Sequence, residues 1–269
     1  MPELPEVETT KRGLEPLIVN QTVEQVILRR PDLRWPMPSD LSDYITGERV
    51  LSLRRRGKYI LINFNSGTLI VHLGMSGSVK VLDTAKPYQK HDHFELVFDN
   101  NKAMRLNDPR RFGAVLFSQT GQHPLLDSLG VEPLGDDFDK DYLFNKSRDK
   151  KQNVKTFVMD SKVVVGVGNI YACESLFKAG INPKISAGRV SKKRYRVLTQ
   201  CIRQTLSQAI EAGGTTLRDF SKVDGTPGYF TQTLSVYGRE GKPCQLCNGK
   251  IERILQNQRS TFYCKTCQR

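Results

Sequence analysis

Four cysteines near the carboxyl end of the 269-residue chain constrain its fold more than any other feature. Two residues separate Cys244 from Cys247 and Cys264 from Cys267, and sixteen residues lie between the two pairs. This spacing is typical of zinc ribbons, in which each pair turns two thiolates towards one ion and the two pairs complete a tetrahedron. Because protein would fill all four positions, we expect one structural zinc ion. An iron–sulfur cluster and disulfides are the alternatives.

The segment between the two cysteine pairs predicts a hairpin. Ile251–Leu255 and Ser260–Tyr263 are apolar or β-prone, and residues 256–259 connect them. Arg259 would then lie at or near the tip. It is either a solvated turn residue or a phosphate contact, and the basic surroundings favour phosphate.

The remaining cysteines and the first residues indicate the compartment. Cys173 and Cys201 stand alone in helical segments and are interpreted as buried thiols. Six cysteines in a chain of this length argue against a disulfide framework. The first residues are acidic and lack the apolar stretch of a signal peptide, and no apolar run is long enough for a membrane helix. We therefore expect no membrane partner and a cytoplasmic, nucleoid-associated protein.

Charge points to a polyanionic partner. The formal net charge is +13, and residues 189–269 hold 15 Lys and Arg against 5 Asp and Glu. Such an excess favours nucleic acid or an anionic membrane face, although it also serves solubility. Its concentration at one end of the chain favours binding.

Four segments differ in the pattern of apolar, polar and turn-prone residues: 1–118, 119–150, 151–235 and 236–269. The first begins with a helical stripe up to about Asn20 and continues as short apolar runs divided by turn-prone residues, which predicts a β-sandwich or barrel. The predicted strands are Val23–Leu28, Tyr59–Phe64, Thr68–Leu73, Ser78–Leu82, Phe94–Phe98, Ala103–Leu106 and Ala114–Phe117. Residues 119–150 are polar and resemble a linker or hinge.

The third segment predicts two helices. Asn169 can cap the first, which runs to Ala179 and stops at Gly180. Ser191 can cap the second, which ends near residues 213–214. The irregular connection between them makes the pair similar to an elongated helix-turn-helix. Residues 213–235 are interpreted as a loop, and residues 236–269 as the zinc ribbon.

The amino terminus is a candidate reactive site. Aminopeptidases remove Met before a small residue, which here would free the amine of Pro2. An α-amino group has a pKa of about 7.7–8, against about 10.4 for lysine, so more of it is an uncharged nucleophile at neutral pH. Glu3 and Glu6 lie three residues apart and would share a helix face. They either complement the helix dipole or supply the acid that glycosidic chemistry needs.

Motifs along the whole chain carry a family resemblance. Residues 2–8 resemble the amino-terminal signature of formamidopyrimidine-DNA glycosylase, also called 8-oxoguanine-DNA glycosylase. Further matches cover residues 56–59, 72–77, 90–93, 108–113, 165–172, 213–217, 227–230 and 236–238, together with the cysteine module.

The resemblance implies an α+β multidomain fold. An N-terminal helix plus a β-sandwich forms a catalytic domain (1–118), a linker follows (119–150), then a helix-two-turn-helix DNA-binding domain (151–235) and the zinc ribbon (236–269). It also implies a monomer with a DNA cleft between the domains and a target nucleotide flipped out of the duplex. The substrate would be double-stranded DNA with oxidised purines or abasic sites.

Site roles follow from the same resemblance. Pro2 resembles the Schiff-base nucleophile, Glu3 the catalytic acid and Lys58 the cation that assists β-elimination. Arg259 resembles the proton donor of δ-elimination. Met75, Arg110 and Phe112 resemble the residues that fill the gap left by the flipped base. Contacts with the DNA backbone are implied for His72, His91, Asn169 and Tyr237. Lesion contacts are implied for Glu6 and for Ser221, which lies in a capping loop over residues 218–229.

Other interpretations stay open. Met75 and Phe112 are also compatible with a β-core, and His72 and His91 with structural histidines. An enzyme similar to endonuclease VIII, which acts on oxidised pyrimidines, is the alternative within the superfamily. A non-catalytic zinc-ribbon DNA-binding protein, or an RNA- or ribosome-binding protein, would share the ribbon and the charge.

Overall fold

The computed structural model describes residues 2–215 and 234–269. The chain divides into two compact units. Unit 1 contains the described parts of Met1–Asp127 and Ala212–Tyr229, and unit 2 those of Ser128–Glu211 and Phe230–Arg269. The four-segment division drawn from the sequence stays a prediction. No helix within the described ranges is long and apolar enough to cross a bilayer.

Unit 1 contains two antiparallel four-stranded sheets, with strand orders β1–β6–β7–β5 and β2–β3–β4–β8. The strands are β1 Val23–Leu28, β2 Ser52–Arg56, β3 Tyr59–Asn63, β4 Thr68–His72, β5 Ser78–Asp83, β6 Asp92–Phe98, β7 Lys102–Asn107 and β8 Ala114–Ser118. Apolar side chains of both sheets, such as Phe94 and Ile62, share one hydrophobic core. The predicted strands are all present, and β2 is an addition to them.

Helix α1, Leu4–Ile18, covers part of this core. It buries Val7, Leu14 and Ile18 along one stripe, whereas Leu17 is 42% exposed. The described part of unit 1 also contains two short helices, α2 over Leu41–Ile45 and α3 over Pro124–Asp127.

The regular elements in the described part of unit 2 are helices and a terminal hairpin. Its helices are α4 Tyr142–Ser147, α5 Val154–Met159, α6 Asn169–Lys178 and α7 Lys192–Glu211, with a 3₁₀ turn at Ala187–Arg189. Helices α6 and α7 pack against each other. Gly180, which has φ +65°, follows α6. The Ser191 hydroxyl accepts the backbone N–H of Arg194 at 3.4 Å and caps α7, as the sequence predicts.

The start of α6 differs from the prediction. Gly168 is the N-cap, and Asn169 is the first helical residue. The Asn169 amide donates to the backbone carbonyl of Ser260 at 2.9 Å instead of capping its own helix. A contact distant in sequence therefore takes the side chain that local pattern assigns to the cap.

The carboxyl-terminal hairpin consists of β9 Ile251–Gln256 and β10 Arg259–Cys264. Asn257 and Gln258 form its two-residue turn, with φ of 47° and 60°, so Arg259 lies beside the tip. The hairpin packs on α6, where Cys173 and Phe177 share an apolar cluster with Phe262. Cys173 is thus a buried thiol, as predicted from the sequence.

Candidate active site and nucleic-acid contacts

The start of α1 is a buried cluster of functional groups. Pro2 is buried, and Glu3 and Glu6 are each 2% exposed. Glu3 is the N-cap residue of α1 and forms a capping box with Glu6, in which the backbone N–H of Glu3 donates to Glu6 Oε2 at 2.8 Å. Capping boxes satisfy N–H groups that a helix leaves without partners. The arrangement fixes the direction in which the chain enters α1 just after Pro2.

Glu6 also holds a distant part of unit 1. Its Oε1 accepts the backbone N–H of Thr215 at 2.8 Å, so its two oxygens receive donors from two separate stretches of chain. Thr215 is 2% exposed. It follows Gly213 and Gly214, which both have positive φ. The role of Glu6 in lesion contact stays a prediction, and its observed role is this bridge.

Lys58 lies in the two-residue turn between β2 and β3. Gly57 precedes it with φ +55°, a conformation that favours glycine. The Arg55 guanidinium donates to the Gly57 carbonyl at 3.0 Å and to Glu8 Oε2 at 2.8 Å. Glu8 belongs to α1, so this ion pair ties the lysine-bearing turn to the helix that begins beside Pro2.

Two arginines set the charge state of Glu8. Burial would raise the pKa of Glu8, but hydrogen bonds and charges from Arg55 and Arg12 outweigh it and lower the pKa below its usual value. The Arg55 side chain is 11% exposed and that of Arg12 60%. The Arg55 pair therefore carries more of the interaction, because exposed ion pairs are screened by water.

His72 is a neutral imidazole. Burial, together with the charges of Lys58 and Arg34, lowers its pKa to about 4. Its Nδ1 accepts the backbone N–H of Gly74 at 3.0 Å, which leaves Nε2 to carry the proton. The ring lies 4.8 Å from that of Tyr59. His72 thus enters any contact near neutral pH as an uncharged donor.

Two adjoining loops of unit 1, residues 73–77 and 108–113, present the predicted gap-filling side chains. We call these two loops the wedge loops. Met75 is 36% exposed and Phe112 44%, unusual values for large apolar side chains. The Arg110 guanidinium lies over the Phe112 ring, 5.2 Å from its centre. These exposures contradict a core role for Met75 and Phe112.

Glycine permits the wedge loops to touch. Gly74 has φ +63°, and a Cβ there would lie 2.4 Å from the backbone nitrogen of Gly113. Between Arg110 and Phe112, Arg111 adopts φ +57°, which a residue with a Cβ rarely does. Backbone of this kind persists only where surrounding contacts hold it, and it concentrates at functional sites.

His91 is partly exposed beside the wedge loops. Its backbone carbonyl accepts the N–H of Asp108 at 2.9 Å, and its ring lies 6.2 Å from that of buried His93. Burial lowers the pKa of His93. Unit 1 therefore brings four of the predicted DNA-contacting residues into connected loops.

In unit 2, one backbone carbonyl brings the predicted residues Asn169 and Arg259 together with a buried lysine. The Ser260 carbonyl, next to Arg259, accepts from Asn169 Nδ2 at 2.9 Å and from Lys155 Nζ at 3.4 Å. Lys155 is 1% exposed and also donates to Thr261 Oγ1 at 2.6 Å. The Arg259 side chain is exposed at the end of this clamped strand. Lys155 carries no distinctive signal in the sequence, since it is one lysine in a basic chain.

Tyr237 is held by a buried carboxylate on α6. Glu174, 1% exposed, accepts the backbone N–H groups of Ser235, Val236 and Tyr237 at 2.8–2.9 Å. The Tyr237 ring packs edge-on against Phe262 at 5.0 Å. Glu174 was also missed, although a charge within a helix whose other residues are mostly apolar is a signal that could have found it. Ser221 and residues 218–229 lie outside the described residues.

The four cysteine sulfurs of unit 2 form a cluster in which all lie within 4.8 Å of one another. Cys244 and Cys267 approach to 3.9 Å, and Cys247 and Cys264 to 3.5 Å. A tetrahedron with zinc–sulfur bonds of about 2.3 Å has sulfur–sulfur edges of roughly 3.8 Å. The donor set and its spacing therefore fit zinc.

Three family models match the chain. They are the formamidopyrimidine-DNA glycosylase N-terminal domain over residues 1–115, the formamidopyrimidine-DNA glycosylase H2TH domain over residues 129–221, and the zinc finger found in FPG and IleRS over residues 241–269. Together they cover most of the chain.

Individual proteins are similar over their full length. A formamidopyrimidine-DNA glycosylase of Ruthia magnifica is 65% identical, with 100% of both chains covered. A Lactococcus lactis FPG mutant in complex with Fapy-dG-containing DNA has a TM-score of 0.93 at 32% identity, covering 100% of both chains. A MutM structure with carbocyclic 8-oxo-G-containing DNA has a TM-score of 0.92 at 32% identity, also covering 100% of both chains.

Proposed function

Since the chain belongs to the formamidopyrimidine-DNA glycosylase family, we propose that it removes oxidised purines from double-stranded DNA and then cleaves the strand at the abasic site. The substrates are 8-oxoguanine and formamidopyrimidines, which are oxidised purines removed by base excision repair. The α+β fold with an H2TH domain and a zinc finger is confirmed, as is a site for one structural zinc. Zinc at a four-cysteine site holds the hairpin and leaves no position for water.

The observation that carries the proposal is the buried start of α1. Pro2 lies there next to Glu3, and Glu6 fixes the backbone between them and the rest of the helix. A secondary amine released from Met1 attacks an electrophilic carbon and yields an iminium ion, which holds its positive charge without protonation. A carboxylic acid beside it supplies a proton to the sugar or the leaving base.

The proposed reaction proceeds in two stages. The Pro2 nitrogen attacks deoxyribose C1′ and loses its proton, and the bond to the damaged base breaks as the base takes up a proton. Glu3 donates a proton to the ring oxygen as the sugar opens to the iminium. Loss of the C2′ proton then expels the 3′ phosphate, and a second elimination expels the 5′ phosphate. Lys58 assists the first elimination by its positive charge, and Arg259 donates a proton in the second.

The proposed DNA contacts come from both units. Met75 and Phe112 fill the gap left by the flipped base, and Arg110 offers its paired donors to the orphaned cytosine. His72 and His91 bind the backbone as donors.

In unit 2, Asn169 and Tyr237 bind phosphate. An amide nitrogen has two hydrogens, so the contact of Asn169 with Ser260 leaves it a second one to donate. Glu6 contacts the lesion, and so does Ser221, which belongs to the capping loop of residues 218–229. The enzyme acts as a monomer in the cytoplasm, where its positive charge keeps it associated with the nucleoid.

Borohydride trapping tests the proposal. Protein with verified removal of Met1 is incubated with a duplex containing 8-oxoguanine opposite cytosine, reduced, and digested for mass spectrometry. We expect a covalent adduct on Pro2. Protein that retains Met1, or carries a tag before Pro2, should lose both excision and trapping while still binding DNA.

Matched variants assign the roles. Lys58→Met should slow strand cleavage, whereas Lys80→Met, a partly exposed lysine on β5, should not. A preference for thymine glycol over 8-oxoguanine would favour the oxidised-pyrimidine alternative. Tight DNA binding with no adduct from processed protein would favour the non-catalytic alternative.

A further inference from the structure

Asp108 is a fully buried carboxylate that joins the two wedge loops. It is 0% exposed. Its Oδ1 accepts the hydroxyl of Ser76 at 3.2 Å, and its Oδ2 accepts the backbone N–H of Gly113 at 2.8 Å. Ser76 follows Met75, and Gly113 follows Phe112. Each oxygen therefore holds the residue next to one exposed apolar side chain.

The Asp108 backbone makes three further contacts in the same region. Its N–H donates to the His91 carbonyl at 2.9 Å, and its carbonyl accepts the Arg111 N–H at 3.3 Å. The same carbonyl contacts His93 Nε2 at 3.1 Å. Asp108 is thus linked to both wedge loops and to the segment that carries His91.

A carboxyl side chain suits this position because it has two oxygens for two donors. A buried polar group is tolerated where hydrogen bonds satisfy it. The Arg111 backbone at φ +57° also requires neighbours that hold it in place. The Asp108 contacts provide that support.

We propose that Asp108 is a positioning residue that makes the two wedge loops one rigid element, and that extrusion of the damaged nucleotide depends on this rigidity. The proposal rests on the proposed function of Met75, Arg110 and Phe112. Unstacking a base step costs free energy, and side chains that wedge into the stack must keep their positions while they do so. A misplacement of about 1 Å can cost roughly 100-fold in rate.

The test uses three variants and one control. Asp108→Ala removes both acceptors, and Ser76→Ala removes one arm at a partly exposed site and so keeps the fold intact. Asp108→Asn keeps the shape, one carbonyl acceptor for Gly113 and an amide that can donate to Ser76. Ser118→Ala is the control, because it removes a side-chain hydrogen bond of unit 1, to the Gln122 carbonyl, away from the wedge loops.

Hydrogen exchange of the free protein tests the linkage itself. Ser76→Ala and Asp108→Ala should accelerate exchange in residues 73–77 and also in residues 108–113, whereas Ser118→Ala should change neither. Faster exchange confined to residues 73–77 in Ser76→Ala would overturn the proposal, since the loops would then not be coupled. This measurement needs no DNA and does not depend on the proposed function.

Single-turnover kinetics test the consequence. Asp108→Ala should lower excision of 8-oxoguanine about 100-fold and Ser76→Ala about tenfold, while Asp108→Asn stays within about threefold of the wild type. Cleavage of a duplex that already holds an abasic site should change less than about threefold in all variants, because no base remains to be unstacked.

Parallel losses on both substrates would indicate general damage to the fold and overturn the proposal, as would an unchanged excision rate in Asp108→Ala. Inactivity of the wild-type protein on 8-oxoguanine would instead refute the proposed function.

Discussion

The zinc hairpin of unit 2 and the wedge loops of unit 1 both present side chains that we assign to DNA, but they are held in different ways. The hairpin depends on four cysteines close together in sequence. The wedge loops depend on a carboxylate and a glycine that meet residues 32 and 39 positions away, as Asp108 meets Ser76 and Gly74 meets Gly113. The cysteine support is local and can be recognised in the sequence from the spacing of the four residues. The support of the wedge loops exists only after the sheets have formed.

Loss of zinc should have the largest effect and should be confined to unit 2. Structural zinc supplies roughly 10 kcal/mol of apparent folding free energy. We expect metal analysis to find one zinc per chain, and Cys264→Ser or chelation to accelerate hydrogen exchange across residues 244–267 while residues 73–77 stay protected. Cys201→Ser, at a buried thiol of α7, is the control and should retain zinc. Retention of zinc by Cys264→Ser would contradict the assignment.

Crowding at the wedge loops should produce the next largest effect. Gly74→Ala and Gly47→Ala both place a Cβ on left-handed backbone, which costs roughly 1–2 kcal/mol. Nothing lies within 4 Å of a Cβ at Gly47, whereas one at Gly74 meets backbone at 2.4 Å, which adds about 1–3 kcal/mol. Urea denaturation measures the free energy of unfolding. Equal losses in the two variants would show that the loops are not tightly packed.

Acid should weaken unit 1 through His72. Its pKa is about 4 in the folded protein and about 6.5 when unfolded, so between these values the unfolded state binds more protons. The contribution of neutral His72 to the free energy of unfolding is fully present above about pH 7. As the pH falls towards 4, about 2–3 kcal/mol of it is lost. His72→Gln should therefore lose less stability than the wild type between pH 7 and pH 4.5 in urea titrations. Identical pH dependence would contradict a neutral His72.

The smallest effect should come from the exposed partner of Glu8. Arg12→Ala removes an ion pair with a 60% exposed side chain and should cost about 0.3 kcal/mol. Arg55→Ala removes the buried partner, together with its bond to the Gly57 carbonyl, and should cost about 1–2 kcal/mol. Thermal unfolding compares the two variants. A larger loss in Arg12→Ala would reverse the assignment of the tighter contact.

Local pattern predicted most of the fold. The seven strands, α1, α6, α7 and the hairpin arise from periodicity and turn residues that lie within each segment. Strand β2 escaped prediction because its sequence is dominated by arginine and buries only Leu53, so it lacks an apolar face of its own. It is a strand because β3 pairs with it and α1 packs nearby.

The candidate site was less accessible to sequence reasoning. Motif resemblance pointed to Lys58, Phe112 and Tyr237, but the residues that hold them in place were missed. Glu8, Asp108 and Glu174 bind partners that are either distant in sequence or backbone N–H groups. A carboxylate that accepts backbone N–H groups has the same letter in the sequence as one in solvent. Only burial and partners distinguish the two.

The bridge from Glu6 to Thr215 has a consequence for biosynthesis. Unit 1 is assembled from the first stretch of the chain and from a stretch that leaves the ribosome about two hundred residues later. Glu6 at the start of α1 thus gains its Thr215 partner only after most of the chain has been synthesised. Processing by an aminopeptidase requires an accessible terminus, whereas Pro2 is buried in the finished unit. On the proposed function, which needs Met1 removed, the long interval between synthesis of the two stretches is the period in which an aminopeptidase reaches the terminus.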